Sequence, residues 1–128
     1  MLQKILMTLF LLGFTLSANN FSNGVSAYNS GDKQKAVKLW SKACDDNDMD
    51  GCFILGLMYY DGEGVIQNKQ KAVKLYTKAC DSNFMRACLN LGILYVTGDG
   101  VRQNKRIAKE LFAKACDGGL KLGCNLVN

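Results

Sequence analysis

Six cysteines stand at positions 44, 52, 80, 88, 116 and 124, so a pair spaced eight apart returns every 36 residues, three times in 128. Other residues keep the same interval. Gly56 and Gly92, Tyr59 and Tyr95, Gly62 and Gly98, Gly64 and Gly100, Val65 and Val101, and Asn68 and Asn104 recur in register, while Ala36, Ala72 and Ala108 lead into Leu39, Leu75 and Leu111. A fixed period of this size marks stacked supersecondary units, each unable to bury its apolar face alone. The chain is therefore expected to be an elongated repeat array with a single continuous core.

Inside each unit the apolar spacing is helical. Ala72, Leu75, Tyr76, Ala79 and Cys80 fall on one face of a 3.6-residue period, as do Ala36, Leu39, Trp40, Ala43 and Cys44, and again Ala108, Leu111, Phe112, Ala115 and Cys116. Lysines occupy the opposite faces, which reads as a solvated surface. Asp32, Asn68 and Asn104 precede these second helices, where a short polar side chain accepts the first free backbone N–H groups. The first helices carry Leu55-Gly56-x-x-Tyr59 and Leu91-Gly92-x-x-Tyr95 and run into Gly62-Glu63-Gly64-Val65 and Gly98-Asp99-Gly100-Val101. A mid-helix glycine costs about 1 kcal/mol against alanine, so at a periodic position it predicts a backbone-to-backbone approach where helices cross. The later glycines predict a helix cap and turn. No strand precedes either Gly-x-Gly, which argues against phosphate binding. Proline is absent throughout.

The beginning of the chain obeys a different rule. A short positive head, Met1 to Lys4, is followed by an apolar run from Ile5 to Leu16 interrupted only by Thr8, Gly13 and Thr15. That is the pattern of a secretory signal peptide over 1–18, too short to cross a bilayer as a stable helix. Export to the periplasm or beyond makes the cysteines a disulfide framework. Six cysteines allow 15 pairings, among which the repeat favours Cys44–Cys52, Cys80–Cys88 and Cys116–Cys124. Histidine is absent and the cysteine spacing is wide for zinc, so neither a metal nor another cofactor is expected. The net charge of +5 tolerates acidic partners, but without a basic cluster interleaved with aromatics it excludes nucleic acid as an expectation.

The Leu-Gly-x-x-Tyr helices followed by Ala-x-x-Leu-aromatic-x-x-Ala helices resemble the tetratricopeptide repeat. The longer Gly-x-Gly-Val turn brings them closer to the Sel1-like repeat, and Lys-Ala-Cys-Asp with a cysteine eight residues on resembles the secreted cysteine-rich branch of that family from Helicobacter. The resemblance implies an all-α fold, a right-handed α/α superhelix. One repeat domain over 19–128 would hold units at 19–46, 47–82 and 83–118, with a closing half-unit at 119–128.

It also implies two functions. Relatives of this type are described as penicillin-binding with weak β-lactamase activity, and as secreted factors that meet host proteins. Ser30-Gly31-Asp32-Lys33 matches Ser-x-x-Lys, making Ser30 and Lys33 the weak candidates for a nucleophile and its base, but the partner motifs of serine β-lactamases are missing. A binding role has more support. On the tetratricopeptide plan the first helices would line a groove with Phe21, Tyr28, Phe53, Leu57, Tyr60, Leu89 and Ile93, and Arg86, Asn90 and Asn125 would add polar anchors. The expected occupants are a peptide, a peptidoglycan fragment or a host protein, with β-lactams as an alternative and no stable membrane insertion.

Overall fold

A computed structural model describes residues 19–128; the stretch 1–18, read above as a leader, lies outside them. Helix α1 occupies 19–29 of the described chain. It is followed by α2 (Lys33–Asp45), α3 (Met49–Asp61), α4 (Lys69–Asp81), α5 (Met85–Thr97), α6 (Lys105–Asp117) and α7 (Lys121–Val127). From α2 onward each helix packs on its neighbours in sequence, so the chain is an all-α solenoid in which α1–α2, α3–α4 and α5–α6 are successive units and α7 begins a fourth.

The periodic residues explain the stacking. Ala36, Ala72 and Ala108, with Ala43, Ala79 and Ala115, are all at most 1% exposed, and their small side chains let neighbouring helices approach closely. Between them sit Trp40, Tyr76 and Phe112, each at most 4% exposed. Each ring packs against a first-helix glycine. A Cβ at Gly24, Gly56 or Gly92 would stand 2.4, 2.6 or 2.5 Å from the ring of Trp40, Tyr76 or Phe112. The expected backbone-to-backbone approach at Gly56 and Gly92 is thus corrected: an aromatic side chain, not a second backbone, fills the space. True backbone crossings occur at Gly51 and Gly123, where a Cβ would meet Cys44 N at 3.1 Å and Phe112 O at 2.8 Å.

These crossings adjoin the cysteines. Bridges Cys44–Cys52, Cys80–Cys88 and Cys116–Cys124 close, and no cysteine among the described residues is free. Each ties the end of a second helix to the start of the next first helix across a three-residue turn whose middle residue has positive φ, namely Asn47, Asn83 and Gly119. Asp32, Asn68 and Asn104 accept from the backbone N–H groups of Lys35, Lys71 and Ile107.

Candidate functional site: a repeated groove on the first-helix face

Two cavities open on the face built by the first helices. One, of about 320 Å³, is lined by Val25 and Tyr28 of α1, Trp40 of α2, and Ile54, Leu57, Met58 and Asp61 of α3, with Glu63 just beyond. The other, of about 260 Å³, is lined by Leu57, Tyr60, Asp61, Tyr76, Asn90, Ile93 and Leu94. They are one site repeated. Val25 and Leu57, Tyr28 and Tyr60, Trp40 and Tyr76, Ile54 and Asn90, Leu57 and Ile93, and Met58 and Leu94 occupy matching places in successive units, the first offset by a turn four residues shorter between α1 and α2. Asp61 lines both cavities.

The rims are held by a polar clasp that also repeats. The Glu63 carboxylate accepts from the Tyr28 hydroxyl at 3.0 Å and pairs with Lys33 at 3.0 Å. One unit later Asp99 accepts from the Tyr60 hydroxyl at 2.7 Å and from Lys69 at 2.8 Å. In both cases the acid is the central residue of a Gly-x-Gly turn. The second glycine brings it there: at Gly64 (φ +70°) and Gly100 (φ +73°) a Cβ would sit 2.6 and 2.7 Å from the carbonyl oxygens of Lys33 and Lys69. The turn expected only to cap a helix therefore also docks onto the preceding unit. Hydrogen bonds from the Lys33 ammonium and Tyr28 hydroxyl hold Glu63 below the usual carboxylate range, and those from Lys69 and Tyr60 do the same to Asp99. Burial, above all, pushes the Tyr76 phenol up to about 12.

Charge is sorted by helix type. Each of α2, α4 and α6 carries four lysine or arginine residues, whereas α3 and the described part of α1 carry none and α5 and α7 carry one each, Arg86 and Lys121. The lysine faces are not wholly solvated. Lys78 donates to Cys44 O at 3.0 Å and Lys114 to Cys80 O at 2.8 Å, each closing off a C-terminal carbonyl of the preceding second helix, where a cation is favoured.

The expected groove residues divide. Tyr28, Leu57, Tyr60, Asn90 and Ile93 line the two cavities. Leu89 does not: at 8% exposed it belongs to the core, because its side of α5 faces the neighbouring helices. Phe53 packs its ring on Tyr76 and Phe84, with centroids 5.8 and 5.2 Å away, and lines neither cavity. Phe21 is half-buried against the core, and its carbonyl accepts from Trp40 Nε1. Arg86 lines a different hollow, at the turn edge with Asp50, Asn83, Phe84, Met85 and the segment 118–120, and Asn125 is exposed on α7. The lining residues that sequence reading missed include Asp61, Glu63, Trp40 and Tyr76. The shared period that aligns Tyr76 with Trp40 was the available signal for the last two.

Among the described residues Ser30 and Lys33 are engaged with other partners and not with each other. The Ser30 hydroxyl donates to Ala27 O at 2.9 Å, an ordinary helix-end contact. The Lys33 ammonium is engaged by Glu63, whose hydrogen bond and charge raise its pKa and keep it protonated, the opposite of what a general base requires. Among the described residues no cluster of acids, histidines or cysteines is arranged to hold a metal, and no helix is long and apolar enough to cross a membrane.

Comparison with known proteins follows the same metre. The Sel1 repeat family model matches residues 9–48, 50–84 and 86–120, its first match beginning inside the stretch read as a leader. HcpC of Helicobacter pylori, named provisionally as a beta-lactamase, is 45% identical over 45 residues, which is 35% of this chain and 16% of HcpC. Among solved structures, Helicobacter pylori cysteine rich protein B superposes with a TM-score of 0.75 at 35% identity, covering 86% of this chain and 84% of that one. A Sel1 repeat protein from Oxalobacter formigenes gives a TM-score of 0.80 at 28% identity, covering 87% of this chain and 47% of its own.

Proposed function

The chain belongs to the Sel1 repeat family, of the cysteine-rich Helicobacter type, and on that basis we propose that it is an extracytoplasmic interaction module whose first-helix groove holds an extended peptide segment of a partner protein. The observation that carries this reading is the repetition of one cavity at successive unit junctions, walled by Val25, Leu57 and Ile93 with Tyr28 and Tyr60 above them. Ile93 remains 42% exposed and Val25 36%, although the core is complete without them. An extended chain presents side chains at regular intervals and suits a wall that repeats. The stapled frame holds that wall in place before binding, which lowers the ordering cost of association.

Disulfides that close three times in 110 described residues support residence outside a reducing cytoplasm, with 1–18 as the export signal and 19–128 as one repeat domain. Peptide mapping of the exported protein by mass spectrometry checks this: recovery of intact Met1 in the mature fraction overturns the leader. The beta-lactamase reading that the relatives' names suggest would need a nucleophile activated by an adjacent base, whereas the Ser30 hydroxyl donates to Ala27 O and Lys33 is paired with Glu63. A chromogenic cephalosporin should accordingly be opened no faster by the wild type than by Ser30→Ala.

The groove itself is tested by Ile93→Ala and Leu89→Ala. Ile93→Ala is expected to weaken peptide binding about fivefold with an unchanged thermal midpoint, since truncating an interface contact acts mainly on the complex. Leu89→Ala should instead destabilise the fold by about 2–4 kcal/mol. Binding unaffected by Ile93→Ala would remove the groove reading.

A further inference from the structure

The groove is acidic in a basic protein. Its two cavities are otherwise apolar, aromatic or amide-lined, and among the described residues their only charged side chains are Asp61 and Glu63, while the described lysines other than Lys121 lie on the second helices. Glu63 is already neutralised by Lys33. Asp61 is not: it is exposed at the last position of α3, and among the described residues it makes no salt bridge and no side-chain hydrogen bond. It stands where the two cavities meet. Its charge is felt by the phenols on both sides, contributing to the raised pKa of Tyr28 after the larger effect of Glu63, and to that of Tyr60 after the hydrogen bond to Asp99.

Resting on the groove reading above, we propose that Asp61 makes the groove selective for an extended peptide in which a lysine or arginine side chain is flanked by apolar side chains, the cation on Asp61 and the apolar groups in the cavities to either side. A carboxylate on a ligand would meet Asp61 with no compensating cation among the described lining residues. The same charge therefore disfavours acidic peptides, and specificity arises as much from this repulsion as from the attraction.

The test uses the full-length, disulfide-closed protein and three blocked peptides, acetyl-Leu-Leu-Lys-Leu-Leu-amide and its counterparts with glutamate or norleucine in the central place, titrated by calorimetry at low and high salt. The lysine peptide is expected to bind about three- to tenfold more tightly than the glutamate peptide at low salt, an exposed ion pair being worth little more, with the ratio shrinking as salt is raised. Asp61→Asn should bring the lysine peptide down to the norleucine peptide without moving the thermal midpoint. Equal binding of the lysine and glutamate peptides, or a preference that survives Asp61→Asn, overturns the inference. If Ile93→Ala weakens all three peptides while Asp61→Asn changes nothing, the groove stands and only its charge selectivity falls. If none of the peptides binds, the groove reading and this inference fall together.

Discussion

At the scale of single residues, two kinds of glycine that look alike in the sequence have different duties. Gly64 has φ +70° and a Cβ there would strike the Lys33 carbonyl at 2.6 Å, whereas Gly119 has φ +93° with nothing within 4 Å. Gly119→Ala should therefore cost only the left-handed backbone penalty, about 1–2 kcal/mol, and Gly64→Ala that penalty plus displacement of the turn, about 2–4 kcal/mol in all. Urea denaturation of the two variants checks the difference, and equal losses would mean that the turn does not seat against Lys33. Tyr76 supplies a second prediction. Its folded-state pKa is raised, so its contribution to stability is complete below the unfolded value near 10 and is lost as pH rises toward about 12. Thermal midpoints should fall over that interval in the wild type and fall less in Tyr76→Phe. Equal slopes would show that the phenol is not the group responsible.

Between elements, the chain is joined by covalent, apolar and polar contacts that all link one unit to the next. A bridge closing so short a loop contributes about 2.5 kcal/mol on the chain-entropy model. Replacing Cys80 and Cys88 together by alanine should lower stability by about that much in guanidinium titrations, while leaving helical content intact at room temperature. The clasps act on a smaller scale. Glu63 and Asp99 have folded-state pKa values below their unfolded ones, so their stabilising effect is present above the unfolded carboxylate value near 4 and disappears as pH falls below it. Lys33 and Lys69 have raised values and hold their effect until strongly alkaline pH. The wild type should lose midpoint temperature as pH falls below about 4, and Asp99→Asn should lose less over the same range.

Across the molecule as a whole, cohesion among the described residues runs mainly between neighbouring units. Stability in such an array is the sum of unit and interface terms, and opening proceeds from the ends. Helix α7 is the weakest member: it spans seven residues, lacks a side-chain N-cap and leaves Leu122 and Leu126 exposed at 52% and 40%. Its anchors are Cys116–Cys124 and the seat of Gly123 on Phe112 O. Amide exchange should be slowest in α3, α4 and α5, and mild reduction should release α7 before any other described helix. Uniform exchange across the array would contradict this order.

The period itself made helices, bridges and second-helix caps legible before any coordinates, because those features depend on residues within about ten positions of one another or on strict recurrence. The cap at Asp32, the pairing of Cys44 with Cys52 and the core stripe of Ala72, Tyr76 and Ala79 are local in this sense. What the tertiary structure decided joins residues 30 or more positions apart, namely Glu63 on Tyr28, Asp99 on Tyr60 and Lys69, and Lys78 on the Cys44 carbonyl, and it turned Leu89 into the core while Ile93 faces out. A repeat announces that units stack, but not which face of one meets which turn of the next. That choice depends on crossing geometry, set here by the rings packed against Gly24, Gly56 and Gly92, and it is what leaves Asp61 alone between two apolar cavities.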